Sequence, residues 1–468
     1  MRAIIRRRAR RAPIGFPASD ESERSYDQAD FNRAVQAYRF FYPTVSGKAI
    51  FRGNAEAGIV DNRVFGVLDI KPRHVGFTYN SDTPYGSIQL DLSEGPFVVE
   101  VPPGPLIAIA VDVHQRWVAD MGIAGPDAGR GGKHLIVPPG YEGNGSGEYH
   151  VWRSSSNHVL VGVRSIPVDG DVQGAFDRIR TIRAHPLTPP AEWSEPKWID
   201  LTETALDTTP LRWEDNLGYW KTLNGVIQAE PGVPEYRVYY GELAALGIRK
   251  GRPFTPDRRM QRILEEAAKR GLAQMRAQSF ADRRPDCIVW SDRKWEWMGL
   301  IEESADFNAL TYVDLDAREV WFYQAIGASP AMFRRKPGET SLHWIGLRDR
   351  DDEYLDGSNR YRLTVPLPVP AKLFWSVTVY DAETRSQIQT DQSNAALRSM
   401  VELKNVSSGS TIDLYFGPTA PPGHEAQWIK TIRRKGWFAY FRLYGPQPPA
   451  FDGRWKPGDF ERSAEPEQ

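Results

Sequence analysis

Three groups of residues carry side chains able to do chemistry. The densest polar cluster of the N-terminal half is Asn80–Ser81–Asp82–Thr83–Pro84–Tyr85, beside a strand-like run. Asp82 offers a carboxylate for acid or base work and Tyr85 a phenol as donor or weak acid, while Asn80 would orient a substrate. A structural corner explains the same residues, because Asn, Ser, Asp and Thr bond nearby backbone and Thr83–Pro84 favours an extended turn. Second, Asp112–Val113–His114 ends an apolar run, where strand alternation sends carboxylate and imidazole to one face, with Trp117 close behind. Such a pair can set a histidine tautomer or contribute to a metal site. A metal needs three or four ligands; His134 and His150 could extend the set, but no compact His-Glu-x-x-His spacing exists, so a metal is disfavoured against polar groups at a sheet rim.

The third group closes the run Phe374–Trp375–Ser376–Val377–Thr378–Val379–Tyr380–Asp381, which alternates faces. Tyr380, Asp381, Thr384 and Arg385 gather at its end, where a turn or a binding site would serve equally. Fifteen tryptophans are many for the length, and Trp290, Trp295 and Trp297 stand among Asp292, Arg293, Lys294 and Glu296. Core packing or an oligomer interface explains them better than ligand stacking. The catalytic candidates are thus Asp82, Asp112 and His114. The substrate-binding candidates are Asn80, Tyr85, Trp117, Tyr380 and Asp381.

These residues must be positioned by a chain of 468 residues, too long for one ordinary core. Hydrophobic residues at 41% and charged residues at 25% are globular proportions, and a soluble protein is expected. Lys plus Arg number 59 against 60 Asp plus Glu, so no global field draws nucleic acid or an anionic membrane. Six arginines do crowd positions 2–11, a run that reads as a solvated tail, an interaction arm or a truncated export signal. No apolar stretch follows it to complete a secretory signal, and no run approaches the length of a membrane span. Cys287 is the single cysteine, which excludes an internal disulfide and a thiolate zinc cage. The Gly-x-Ser-x-Gly elbow, the phosphate-binding loop and the dinucleotide fingerprint are absent, so no nucleotide cofactor is expected. Asn144–Gly145–Ser146 and Asn405–Val406–Ser407 fit a glycosylation tripeptide that is common by chance.

Short apolar or alternating runs separated by Pro, Gly and Ser clusters predict a mainly β fold. A basic, flexible tail over 1–30 is followed by an N-terminal β domain over 31–186, opening on a short helix at 31–43 stopped by Pro43. A Pro- and Trp-rich connecting region spans 187–305, with its most secure helix at 260–275 capped near Asp257. A C-terminal β domain covers 306–460, and 461–468 is a tail.

Tyr38 to Pro43, Tyr79–Asn80–Ser81–Asp82–Thr83–Pro84–Tyr85–Gly86, Leu90–Asp91–Leu92 with Gly95–Pro96, and His134–Leu135–Ile136–Val137–Pro138–Pro139–Gly140–Tyr141 form an ordered signature. It resembles the bacterial domain of unknown function DUF1254. Leu355–Asp356–Gly357, Pro366, Pro370–Ala371, the Phe374–Asp381 run and Thr384 resemble its usual companion, DUF1214. The resemblance covers about residues 34–460. It implies two β-sandwich domains of jelly-roll-like form and allows a homo-oligomer, but implies no reaction. Relatives are often exported, which leaves the location of this chain unknown. Two functions are expected: a hydrolase or lyase on a small organic or sugar-like substrate, or a non-catalytic ligand-binding or self-assembling protein.

Overall fold

The computed structural model describes residues 15–143, 147–298, 304–338, 341–406 and 409–463. The arginine run at 2–11, the Asn144–Gly145–Ser146 tripeptide and Ser407 lie outside the described residues.

In a strand, side chains alternate between faces, so a strand apolar on one side must lay that side on another sheet. Six N-terminal strands do this in the order Lys197–Asp200, Val64–Leu68, Tyr85–Asp91, His158–Ser165, Leu106–Asp112, Trp117–Gly122. Four more, Arg183–Pro186, Phe97–Val101, Gly132–Val137 and His150–Arg153, form the opposing sheet. Ile88, Leu90, Ala108, Val161 and Val163 of the larger sheet meet Val99, Val101, Ile136 and Ala184 of the smaller in one core.

The C-terminal half repeats the principle. Five strands, in the order Trp295–Trp297, Ser341–Gly346, Trp437–Pro446, Ala371–Asp381, Ala396–Arg398, pack on four: Trp428–Lys430, Thr411–Gly417, Tyr361–Pro366 and Phe460–Arg462. Trp344, Trp375, Val377, Phe441 and Leu443 fill the space against Tyr361, Leu363, Leu414 and Phe416. Both expected β-sandwiches are present, and no sheet closes into a barrel among the described residues. Trp290, Trp295 and Trp297 belong to this second core, against Trp344, Phe441 and Phe460, rather than to a ligand-stacking wall.

Three boundaries differ from expectation. The helix expected to stop at Pro43 runs from Ser19 to Glu56 with Pro43 inside it, so residues 19–30 are helix rather than tail. An interior proline costs about 3 kcal/mol. Burial of Tyr38, Phe41, Tyr42 and Val45 against the helices Leu217–Ala229, Arg237–Ala245 and Arg258–Phe280 outweighs it. The contact is close: a Cβ on Gly271 would lie 2.3 Å from Tyr38 Cδ1. Next, the connecting region is not a separate linker. It lends Lys197–Asp200 to the N-terminal sheet and Trp295–Trp297 to the C-terminal one, because each sheet edge has free backbone groups to pair. Finally, 461–462 pair with Tyr361 and Arg362 instead of trailing. The expected 260–275 helix is observed as Arg258–Phe280, with the Asp257 carboxylate accepting from the Met260 N–H at 2.8 Å.

Candidate functional site

The faces of the two larger sheets turned away from their own cores approach each other, and a cavity of about 210 Å³ lies between the domains. Its floor follows from register. Ser87, Gly162, Ile109 and Asp120 form one row across four strands, and Tyr85, Arg164 and Ile107 form the next row on the same face. Its other wall carries Ser341, His343 and Arg442 from the C-terminal sheet, where His343 and Arg442 are directly opposite, together with Trp321, Ile326, Ser329 and Met332. Gly162 gives the cavity depth in its middle. A Cβ there would touch only Ile109, at 3.8 Å.

Around the rim, the polar groups bond one another across the domains. The Tyr444 hydroxyl donates to Asp82 Oδ2 (2.8 Å) and accepts from Arg164 Nη2 (2.8 Å) and Asn80 Nδ2 (2.5 Å). Ser376 adds a second donor to Asp82 Oδ2 at 2.7 Å, while Asp82 Oδ1 is buried without a donor. Arg442 donates through Nη1 to Thr378 Oγ1 (3.0 Å) and through Nη2 to the Tyr380 hydroxyl (2.8 Å), leaving Nε buried and unbonded. Tyr380 in turn donates to the Tyr79 carbonyl at 2.8 Å.

His343 has no hydrogen-bond partner at Nε2 although that atom is buried. Burial pushes its imidazole well below the usual histidine range, and the positive charges of Arg442 and Arg164 push the same way. It is a neutral base beside two guanidiniums. At the far end of the floor, burial raises the Asp120 carboxyl to about 6, against the opposing pull of Ser329 and Arg334. The cavity is thus apolar along its length, cationic at one end and carboxylic at the other. It can seat a small organic anion with its charge at Arg164 and Arg442, next to a neutral imidazole able to take a proton.

The structure brings four of the sequence candidates to this seam: Asn80 and Tyr85 line the cavity, while Asp82 and Tyr380 brace the residues that do. The other four do not line it, although Trp117 stands beside Asp120 and packs on the cluster that holds Trp321. Asp112 pairs with Val159, whereas Arg164 pairs with Ile107, five residues back along the same strand. That separation is roughly 17 Å. Asp112 acts as a turn cap: its Oδ1 accepts from the His114 and Arg116 N–H groups at 2.9 Å each, and Ser155 bonds its Oδ2. Because the carboxylate folds back on its own backbone, it does not orient the His114 ring, whose Nδ1 instead lies 3.0 Å from Thr44 Oγ1. Trp117 stacks edge-on with Trp152 at 5.8 Å. Asp381 caps its own turn through the Glu383 and Thr384 N–H groups and holds Lys435 at 3.2 Å.

Sequence reasoning missed Arg164, His343, Arg442, Tyr444 and Asp120. A signal existed. Arg442 and Tyr444 alternate with Phe441 and Leu443, and His343 sits between Leu342 and Trp344, so each is a polar residue on the off-core face of a strand otherwise rich in apolar residues.

No cluster of His, Cys, Asp and Glu able to hold a metal exists among the described residues, and no helix among them is long and apolar enough to cross a membrane. No functionally curated protein matches the chain. Among solved structures, a protein from Vibrio parahaemolyticus is similar at 15% identity and a TM-score of 0.57, covering 93% of this chain and 100% of that one. An uncharacterised protein from Burkholderia cenocepacia matches at 11% identity and a TM-score of 0.40, covering 95% and 97%. The first likeness shows the fold alone. Two family models of unknown function match the sandwiches, one over residues 68–188 and one over residues 340–448. The chain therefore carries a DUF1254 match in its N-terminal half and a DUF1214 match in its C-terminal half, in the order that its sequence signatures resemble.

Proposed function

We propose that the interdomain cavity is the working site and that it takes a small, mostly apolar organic anion, on which His343 acts as base in a hydrolase or lyase reaction. One observation carries this reading: around an apolar cavity, His343 Nε2 and Arg442 Nε are buried with no partner, at a cost that a bound ligand would offset. Arg164 and Arg442 would hold the anionic group, and Tyr85, whose ring lies 5.4 Å from the Arg164 guanidinium, would complete its coordination. Asp82 and Tyr444 are positioning residues that fix Arg164.

Binding without turnover is the second reading. It is favoured by the hydrogen bonds that Tyr444 and Ser376 both give to Asp82 Oδ2, which commit that oxygen to joining the two domains. Calorimetry of the full chain with hexanoate and hexanol tests the site, and a screen of short-chain esters and lactones tests turnover. Hexanoate is expected to bind and hexanol not to, with Arg442→Met and Gly162→Leu weakening binding at least about tenfold. Equal binding of acid and alcohol, or none of either, would remove the proposal. Turnover that vanishes in His343→Gln supports the enzyme, and binding with no turnover in any ester or lactone supports the second reading.

A further inference from the structure

A second cavity, of about 460 Å³, lies under the first helix on the side of the N-terminal domain where His114 sits. Its walls are Phe40, Tyr236, Tyr239 and Phe322, and its charged groups are Arg116, Arg318, Glu235 and Asp306. It shares no lining residue with the interdomain cavity.

Arg318 is the informative residue. It is 6% exposed, yet among the described residues no carboxylate lies within ion-pair distance, and it donates from Nη1 to the Phe40 carbonyl at 2.7 Å. The acids nearest it along its own helix are engaged elsewhere. Glu319 is paired with Arg39, Asp314 caps the helix through the Ala317 N–H and faces Arg284, and Asp316 accepts from Gln278. Across the cavity, Glu235 and Asp306 lie nearer Arg116, at 3.5 and 3.7 Å, which leaves Arg318 without an ion pair of its own among the described residues, its charge offset through space by Glu319, which Arg39 shares. A buried cation without an ion pair of its own is costly, and few native proteins keep one without a purpose. The ring faces of Phe40 and Phe322, at 4.6 and 5.5 Å, recover a part of that cost.

A second observation concerns His114, which lines this cavity and also a neighbouring one of about 230 Å³ that holds Glu230 and Lys250. His114 is 1% exposed, its Nδ1 is engaged by Thr44, and its Nε2 has no partner. The backbone is arranged to hold the ring there: Asp112 caps the turn, Gln115 adopts a positive φ of 59°, and the Gln115 amide donates to the Pro43 carbonyl at 2.9 Å. An unpaired guanidinium and an unpartnered imidazole nitrogen, in a cavity walled by four aromatic rings, specify an anion attached to a flat body.

We propose that this cavity is a second binding site, separate from the interdomain one, for a small aromatic carboxylate. Arg318 would receive the carboxylate, His114 Nε2 would hydrogen-bond it, and the ring would lie among Phe40, Tyr236 and Phe322. Titration calorimetry of the full chain with benzoate, benzyl alcohol and inorganic phosphate provides the test. One benzoate is expected to bind this site in the native chain and in the Gly162→Leu variant alike, whether or not a second enters the interdomain cavity of the native chain, and neither the alcohol nor phosphate should bind at this site. Arg318→Met should weaken benzoate at least about thirtyfold and His114→Phe about five- to tenfold. If Arg318→Met fails to fold cooperatively, His114→Phe and Arg116→Gln decide. Undiminished binding in all folded variants, or no binding by the native chain, overturns the proposal. So does binding that Gly162→Leu abolishes, because the benzoate would then occupy the interdomain cavity.

Discussion

Two arginines of the C-terminal domain, Arg385 and Arg442, are buried to the same degree, at 0% and 3% exposure, and serve opposite ends. Arg385, like Arg442, leaves Nε buried without a partner, but its terminal nitrogens are spent on a carboxylate. Its Nη2 donates to both oxygens of the Glu214 carboxylate at 2.8 and 2.9 Å, and its guanidinium lies over the rings of Phe77 and Tyr323 at 4.4 and 4.3 Å. Tyr42 adds a further donor to Glu214 at 2.7 Å, so one carboxylate ties the first helix, the connecting region and the C-terminal sandwich together. Arg385 lines neither the interdomain cavity nor those beside His114. Arg442 instead bonds only neutral hydroxyls and a carbonyl, faces a cavity, and stands opposite an imidazole with no partner. The difference teaches that burial of a charge does not by itself mark a site. What marks it is unspent hydrogen-bonding capacity next to open space.

Breaking the Arg385–Glu214 pair should have the largest effect. Arg385→Met leaves a buried carboxylate uncompensated and is expected to cost about 3–5 kcal/mol in chemical denaturation. Arg442→Met, which strands no acid, should cost less than half of that. A smaller loss for Arg385→Met than for Arg442→Met would break the comparison.

Asp120 tests the carboxylic end of the cavity. Its folded value of about 6 lies above the ordinary 3.8, so the folded state holds the proton more tightly than the unfolded chain. The stability this lends is complete below pH 3.8 and is lost as pH rises through about 6. Asp120→Asn should therefore be more stable than the native chain at pH 8, by about 3 kcal/mol, and no more stable at pH 3.5. Melting curves at the two pH values give the answer, and a gain equal at both would show that the carboxyl is not strained.

Replacing His343 by Leu sharpens the contrast between stability and function. Removing an unpartnered buried nitrogen should leave stability unchanged or raise it by about 1 kcal/mol, while any turnover is lost. A loss of more than about 2 kcal/mol would mean that the imidazole is a structural group like Arg385. The smallest effect is expected for Gly162→Val, where the new Cβ meets only Ile109. Stability should move by less than about 0.5 kcal/mol, with hexanoate binding reduced, as denaturation and calorimetry on one sample would report.

Much of the fold was legible in local pattern. Ser376, Thr378 and Tyr380 alternate with Trp375, Val377 and Val379 in the sequence, and in the structure the first set faces the N-terminal domain while the second fills the sandwich core. The helix 260–275 was legible for the same reason, since three- and four-residue spacing commits one face to burial. Pro43 shows where such reading stops. Its local meaning is a helix end, and only the packing of Tyr38, Phe41 and Tyr42 on three other helices overrides it. The site divided in the same manner. Asn80, Asp82 and Tyr85 stood out as a compact polar run, whereas Arg164, His343 and Arg442 are single residues separated by up to hundreds of positions.

The chain's own sequence determined two β domains, a connecting helix and the two domain signatures, because alternation, helical spacing and ordered motifs are local properties written in consecutive residues. Tertiary structure alone decided which polar residues share a cavity and which cap turns. Asp82 and Asp112 look alike in sequence, each an aspartate two or three residues from a possible partner. One reaches across to Tyr444 and Ser376 of the other domain, and the other folds back on its own backbone. The choice depends on what the opposing sheet presents at that height, and no residue adjacent in the chain carries that information.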